Sequence, residues 1–501
     1  MSANLKNVVL IDKGKVVGGD TLRPHLIISA TTGATVIVKK GVKAVRATET
    51  STGVFECDVT EFGTWVVTSN LNYSVEVVVD TVKLYTVDAT ATVYGFKVDS
   101  TVSSSDDAVS YKVQYNGKNV NNYNYSPAYM DFTNDRWVWG SWSENDFFMP
   151  RPVLISQDYA TKIYLNPNDL TKDTNGNDVS SYLTGESGSY NAMMEWGKDG
   201  KQIWYKVIPD TNDDTTYTVL FANKKMDNDF VAWSFYDAND NLIEHFYTGI
   251  YGACAESNVL RSLSGKTRNN TTEGATQIAY AKANNQNGEE YAWYIDVFAD
   301  RLLINFLLIL VIKSLNSEKI GYGHAYNGSS ASDIYITGLG NDKGYFYAKR
   351  GNQGCKIFGM ENWYADAWRR MAGYVLSSGT VLYKLTYGTA DGSSLKGYIE
   401  NDNAPTNYLT GNTIATNISG SFIKKMKAYS NGIILVSAYA GGNGTYYSDS
   451  VYTASGVCFA NVGGGCGNGS DAGAFAININ GALSVAFWSV GVGLSLKPLA
   501  S

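Results

Sequence analysis

The stretch GGGCGNGSDAGAFAININGALSVAFWSVGVGLSLKP, Gly463 to Pro498, sets regular alternation beside disorderly composition. From Phe475 to Asn480 the large apolar residues Phe475, Ile477 and Ile479 hold odd positions, and small or polar residues hold even ones. Period two marks a strand with one buried face. Val490, Val492, Leu494 and Leu496 alternate in the same way with Gly491, Gly493 and Ser495. Between them GALSVAFWS follows no period, so the pattern predicts two strands holding an irregular insert.

Working outward, the chain reads as strand-rich. It has 501 residues, with 50 glycines, 36 tyrosines and only 8 prolines. Glycine supplies turn conformations, and aromatic residues favour pleated, half-buried surfaces. Between Thr21 and about Ala89 lie HLIISA, TVIVKK, KAVRATE, GVFECDV, GTWVVTS, YSVEVVV and VKLYTV, separated by short polar turns. This spacing predicts a small all-β sandwich of immunoglobulin-like kind over 1–89, serving attachment or spacing. Residues 90–190 read as a β-rich segment leading into, or inserted in, the domain over 191–501. Within that domain NAMMEW, KQIWYKVI, YTVLFA, FVAWSFY and LIEHFYTGI read as a meander of strands.

Two helices are expected. One lies in Tyr291–Leu315, whose run RLLINFLLILVIKSL is too short for the ~20 residues of a membrane span and reads as a buried core helix. The other is ENWYADAWRRMAGYVL, where Trp363, Ala367, Met371 and Val375 recur every four residues. On such a helix Arg369 and Arg370 would form ion pairs with Glu361 and Asp366.

Charge and cysteine usage narrow the function classes. A net charge of −7 without long lysine runs argues against nucleic acid and against anionic membranes. The N-terminus lacks the apolar core of a signal peptide. Five scattered cysteines without a CxxC motif support neither a disulfide scaffold nor a zinc site. DTNGNDVSS has its glycine fourth, not sixth, so it reads as an Asn-Gly turn, not a calcium loop; YDANDNLIE also reads as a hairpin turn. His25, His245 and His324 stand in unrelated contexts, with no nucleophile motif nearby. No cofactor, metal or catalytic residue is expected.

The order IEHFYTGIYGAC, LRSLSGKT, WYIDVFADRLLINFLLILVIKS, FGMENWYADAWRRMAGYV and GNGSDAGAF…GVGLSLKP resembles a group of phage and prophage structural proteins of gut bacteria. It is also similar to the variable proteins of diversity-generating retroelements. The resemblance covers about 94–498 and implies an α+β C-type-lectin-like domain, of the formylglycine-generating-enzyme-like variety, behind the sandwich. It implies a tail or fibre-tip adhesin of the virion that binds a protein or glycan receptor on the host bacterium and contacts other tail proteins. A homotrimer is expected by analogy with other tail-tip proteins. In this family the terminal segment is a fixed framework carrying displayed positions. Gly469, Ser470, Ala472, Gly473, Phe475, Gly493, Leu494 and Leu496 would be framework. Cys466, Gly467, Asn468, Ala476, Asn478, Asn480, Gly481, Ser484, Ala486, Phe487 and Trp488 would be the ligand-binding display. Adjacent strand residues point oppositely, so Phe487 and Trp488 need not both face outward. Two rivals remain: a ligand-binding protein of the same fold on the bacterial surface, and a copper oxidase of the formylglycine-generating type using Cys458 and Cys466.

Overall fold

The computed structural model describes residues 7–16, 22–29, 32–40, 42–59, 63–69, 73–79, 84–87, 91–285, 292–326, 328, 330–349, 354–386 and 408–499. Thr21 and Ala89, which bound the expected strand series, and Tyr291, which opens the expected helical segment, lie outside the described residues. The chain divides into two compact units, Met1–Thr92 with Lys224–Phe230, and Val93–Asn223 with Val231–Ser501.

The first unit consists of two antiparallel sheets of four and five strands, starting with Asn7–Val16 and ending with Leu84–Val87. Leu26, Ile28 and Phe55 from one sheet, and Val36, Val38 and Val67 from the other, belong to one buried cluster. Alternation produces this packing: in Val36–Lys40 the side chains of Val36 and Val38 turn inward.

The second unit is built around the helix Phe298–Ile312, every residue of which is buried. One side packs on a nine-stranded sheet, where Phe298 meets the Tyr374 ring at 5.3 Å. Another meets the sheet containing Val93–Val98 and Trp204–Pro209, where Phe306 lies 6.4 Å from Phe96 and 6.0 Å from Tyr205. A helix enclosed in this way carries apolar residues on all sides, and its polar residues Asp300, Arg301 and Asn305 are buried with them. Among the described residues no helix is long and apolar enough to cross a membrane. Lys313, at φ 51°, ends the helix in the left-handed conformation.

The segment expected as a second helix is instead the strand Trp368–Ser377, near the middle of the nine-stranded sheet. It pairs with Val457–Val462 and is buried along nearly its whole length. A strand buried on both faces shows no period-two alternation, so its apolar residues also fit a spacing of four. Gly373, at φ 84°, sits where the register shifts between Arg370 and Val375. The meander is corrected too. Tyr190–Trp196 pairs with Phe246–Gly249, whereas Trp204–Pro209 and Tyr217–Ala222 join a different sheet, and FVAWSFY holds a short 3-10 turn at Trp233–Phe235. Asp173 and Asp237 each accept backbone N–H groups two and four residues on, which closes the two expected turns.

Candidate functional site

The terminal segment forms three short strands. Ile477–Gly481 lies between Ser450–Thr453 and Val457–Val462; Val490–Val492 runs parallel to Trp368–Arg370. Leu494–Leu496 crosses to a seven-stranded sheet, between Phe246–Gly249 and Trp293–Ile295. The expected continuous strand from Val490 to Leu496 is therefore broken at Gly493 and buried on both faces. A side chain on Gly493 would collide with the Arg369 guanidinium and the Asp296 carboxylate, which pair at 2.9 Å. That pair replaces the ion pairs expected for Arg369 on a helix.

The turn before Ile477 is fixed by a buried polar network. Phe475 N donates to Asp449 Oδ2 at 2.6 Å, and Ala474 N donates to Ser317 Oγ at 2.9 Å. Ala474 O accepts from Asn305 Nδ2 at 2.7 Å and from Arg301 Nη2 at 3.3 Å. Gly473 leaves room for the Asp449 carboxylate, which a Cβ would strike. Burial pushes the Asp449 carboxyl up to about 8 against the pull of Phe475 N–H and Arg301. Burial, with Asp449 and Asp471 nearby, pushes Glu318 up to about 9. Arg301 is drawn down to about 9 by burial and by Arg369. These anchors, Asp449, Ser317, Asn305 and Arg301, come from distant parts of the chain, and no local spacing marks them.

The insert Ala482–Ser489 is irregular, as expected, and it is held by two nearly buried arginines. Arg268 Nη1 donates to Trp488 O at 3.0 Å, and Arg370 Nη2 donates to Val485 O at 2.8 Å. Arg370 Nε donates to Gln277 Oε1 at 2.8 Å, so its bonding partners are neutral, and burial lowers its pKa to about 10. Gly274 N donates to Leu483 O and Thr271 N to Phe487 O. Asp366 then ties the neighbouring loops together. It accepts Arg268 Nε at 2.9 Å and Tyr335 N at 3.2 Å, while its carbonyl accepts Cys466 N at 3.2 Å. Arg268 directly follows the LRSLSGKT motif, but nothing in that motif announces its role.

The display positions divide. Phe487 is 62% exposed, and Gly467, Asn480 and Ser484 are exposed. Asn468, Asn478, Gly481, Ala486 and Trp488 are half-buried. Asn468 and Asn478 spend their carbonyl oxygens on backbone N–H groups of Gly465 and Asn480. Cys466 and Ala476 do not fit a display role, since both are fully buried. Cys466 is drawn in by its bond to Asp366, and burial pushes its thiol pKa up. Ala476, just before its strand begins at Ile477, is covered by Trp368, Val490 and Tyr452. The framework residues Ala472, Gly473, Phe475, Gly493, Leu494 and Leu496 are buried, while Gly469 and Ser470 are partly exposed. Beside Gly469 stands Tyr326, 52% exposed, its ring 5.3 Å from that of Tyr322, which is 46% exposed. No spacing in GYGHAY, Gly321 to Tyr326, marks this pair in the sequence.

All five cysteines are buried. Cys458 lies opposite Leu376, and Cys466 bonds to Asp366, near the other end of Trp368–Ser377. At ~3.3 Å per strand residue this separates them by on the order of 25 Å, too far to share one metal. Among the described residues no group of three or more His, Cys, Asp or Glu could hold a metal ion. No protein-family model matches the chain, and no curated protein matches it.

Proposed function

We propose that this chain is a virion adhesin of a phage or prophage, a binding protein with no catalytic step, that attaches to a receptor on the host cell. In this reading the first unit is an immunoglobulin-like spacer, the second is C-type-lectin-like, and the assembly is a homotrimer at the tail or fibre tip. The observation that carries it is the irregular insert: its shape is fixed from beneath by Arg268 and Arg370, yet it presents Ser484 and Phe487 outward. A surface ordered before contact loses less entropy on binding, and an exposed aromatic on it supplies stiff contact area. The ordered motifs of the second unit, which resemble those of phage structural proteins, support the same reading.

The test is attachment of the purified full-length chain to a panel of gut bacterial isolates. Asn480→Ala, Ser484→Ala and Phe487→Ala combined should abolish attachment to any isolate the native chain binds. The melting temperature should stay nearly unchanged, because exposed substitutions usually shift stability within about ±0.5 kcal/mol. Undiminished attachment by the triple variant would defeat the assignment.

A further inference from the structure

The second unit contains a cleft of about 500 Å³ built from none of the terminal residues, lined by Trp137, Trp139, Asn168, Asp342, Lys343 and Tyr347 among others. That volume lies in the ~300–1,000 Å³ range of small-molecule sites. Its aromatic wall is rigid. Trp137 stacks on Phe346 with centroids 4.3 Å apart and planes 10° apart, and Trp139 stands edge-on to both, at 6.1 Å and 5.6 Å. Phe346 is buried, whereas Trp137, Trp139 and Tyr347 remain partly exposed. The Trp137 indole Nε1 is shut off from solvent and has no hydrogen-bond acceptor among the described residues.

The polar lining is charged but balanced. Asp135, Glu144 and Asp342 supply three negative charges, and Arg136, Lys343 and Lys349 supply three positive ones. They sit in opposite-charge neighbourhoods: Lys343 Nζ is 2.8 Å from Asp342 Oδ2 and 5.5 Å from the Tyr347 ring centre, and Lys349 Nζ is 3.9 Å from Asp135 Oδ2. An anionic ligand would meet three carboxylates, and a cationic one three bases. An apolar ligand would strip water from all six without replacing their hydrogen bonds. A neutral molecule with many hydroxyls avoids these costs, because each hydroxyl both donates and accepts. The C–H face of a pyranose ring, weakly positive, suits the negative face of an indole or phenol ring.

We infer that this cleft is a binding site for a neutral oligosaccharide, with Trp139 and Tyr347 as stacking surfaces and Asp342, Lys343 and Asn168 as hydroxyl partners. The site stands apart from the proposed terminal display surface, and either can fail without the other. The test is an array of neutral, sulfated and uronic-acid oligosaccharides probed with the full-length chain, followed by calorimetric titration of the best neutral binder. A neutral sugar should bind saturably. Trp139→Ala and Asp342→Ala should each weaken it at least tenfold, and Phe487→Ala should leave it unchanged. Asp342 is exposed, so its variant reports on binding even if loss of Trp139 disturbs folding. Absence of binding to every neutral sugar, preference for the anionic ones, or unchanged affinity in Asp342→Ala would overturn the inference.

Discussion

At the scale of single residues, the terminal segment depends on absent side chains and on two buried guanidinium groups. Gly473 and Gly493 make room for Asp449 and for the Arg369–Asp296 pair, so a methyl group at either position has nowhere to go. Gly473→Ala and Gly493→Ala are each expected to cost about 1–3 kcal/mol, the usual penalty of overpacking, measurable by denaturant unfolding. Arg268→Ala should be worse, at about 3–5 kcal/mol, because it leaves Asp366 buried without the charge it pairs with at 2.9 Å. A variant that melts like the native chain would show that Arg268 does not hold the insert. Gly493 is marked as framework by the resemblance, and the structure gives the reason, since a side chain there would strike Arg369 and Asp296. Arg268 is not, because its partners Asp366 and Trp488 lie 98 and 220 residues away.

Among the elements, the helix Phe298–Ile312 and the turn Gly473–Phe475 share one buried polar cluster, and its acids make it sensitive to pH. Asp449 and Glu318 ionise near 4 in an unfolded chain, but in the fold they are raised to about 8 and about 9. Stability from the neutral acids is therefore fully present below about pH 4 and is lost as pH rises through their folded values. Arg301, Asp471 and Tyr364 face the same cluster. Melting temperature is expected to fall between about pH 5 and pH 9, and Asp449→Asn with Glu318→Gln should flatten that slope. An equally steep slope in the double variant would place the pH response elsewhere. The helix is legible because its apolar run exceeds the usual length of a strand. Trp368–Ser377 reads wrongly as helix because burial on both faces erases the period that distinguishes strand from helix. The two halves of Val490–Leu496 look like one strand because alternation reports a buried face, not which sheet supplies the partner.

For the whole molecule, pairing determines where the chain can be divided. Among the described residues the strands of the first unit between Asn7 and Val87 pair with one another in its two sheets, and Leu26, Phe55, Val38 and Val67 form a core from within the same span. Residues 1–92 expressed alone should therefore give a sheet-rich circular dichroism spectrum and a cooperative melt. The boundary expected at residue 190 is a weaker guide. Val153, Leu154 and Ile155 pair with Met193, Ala192 and Asn191, so a cut there would strip Tyr190–Trp196 of one neighbour in a seven-stranded sheet. It would also expose Met193, Met194 and Trp196, all fully buried in the intact chain. Burying such side chains is worth about 1.5–3 kcal/mol each, and an open strand edge invites pairing with other chains. A fragment of 191–501 is thus expected to aggregate, whereas 93–501 should remain monodisperse or form a defined oligomer by size-exclusion chromatography. If 191–501 instead melted cooperatively at the temperature of 93–501, the pairing of Arg151–Ser156 with Tyr190–Trp196 would not be what holds this sheet together.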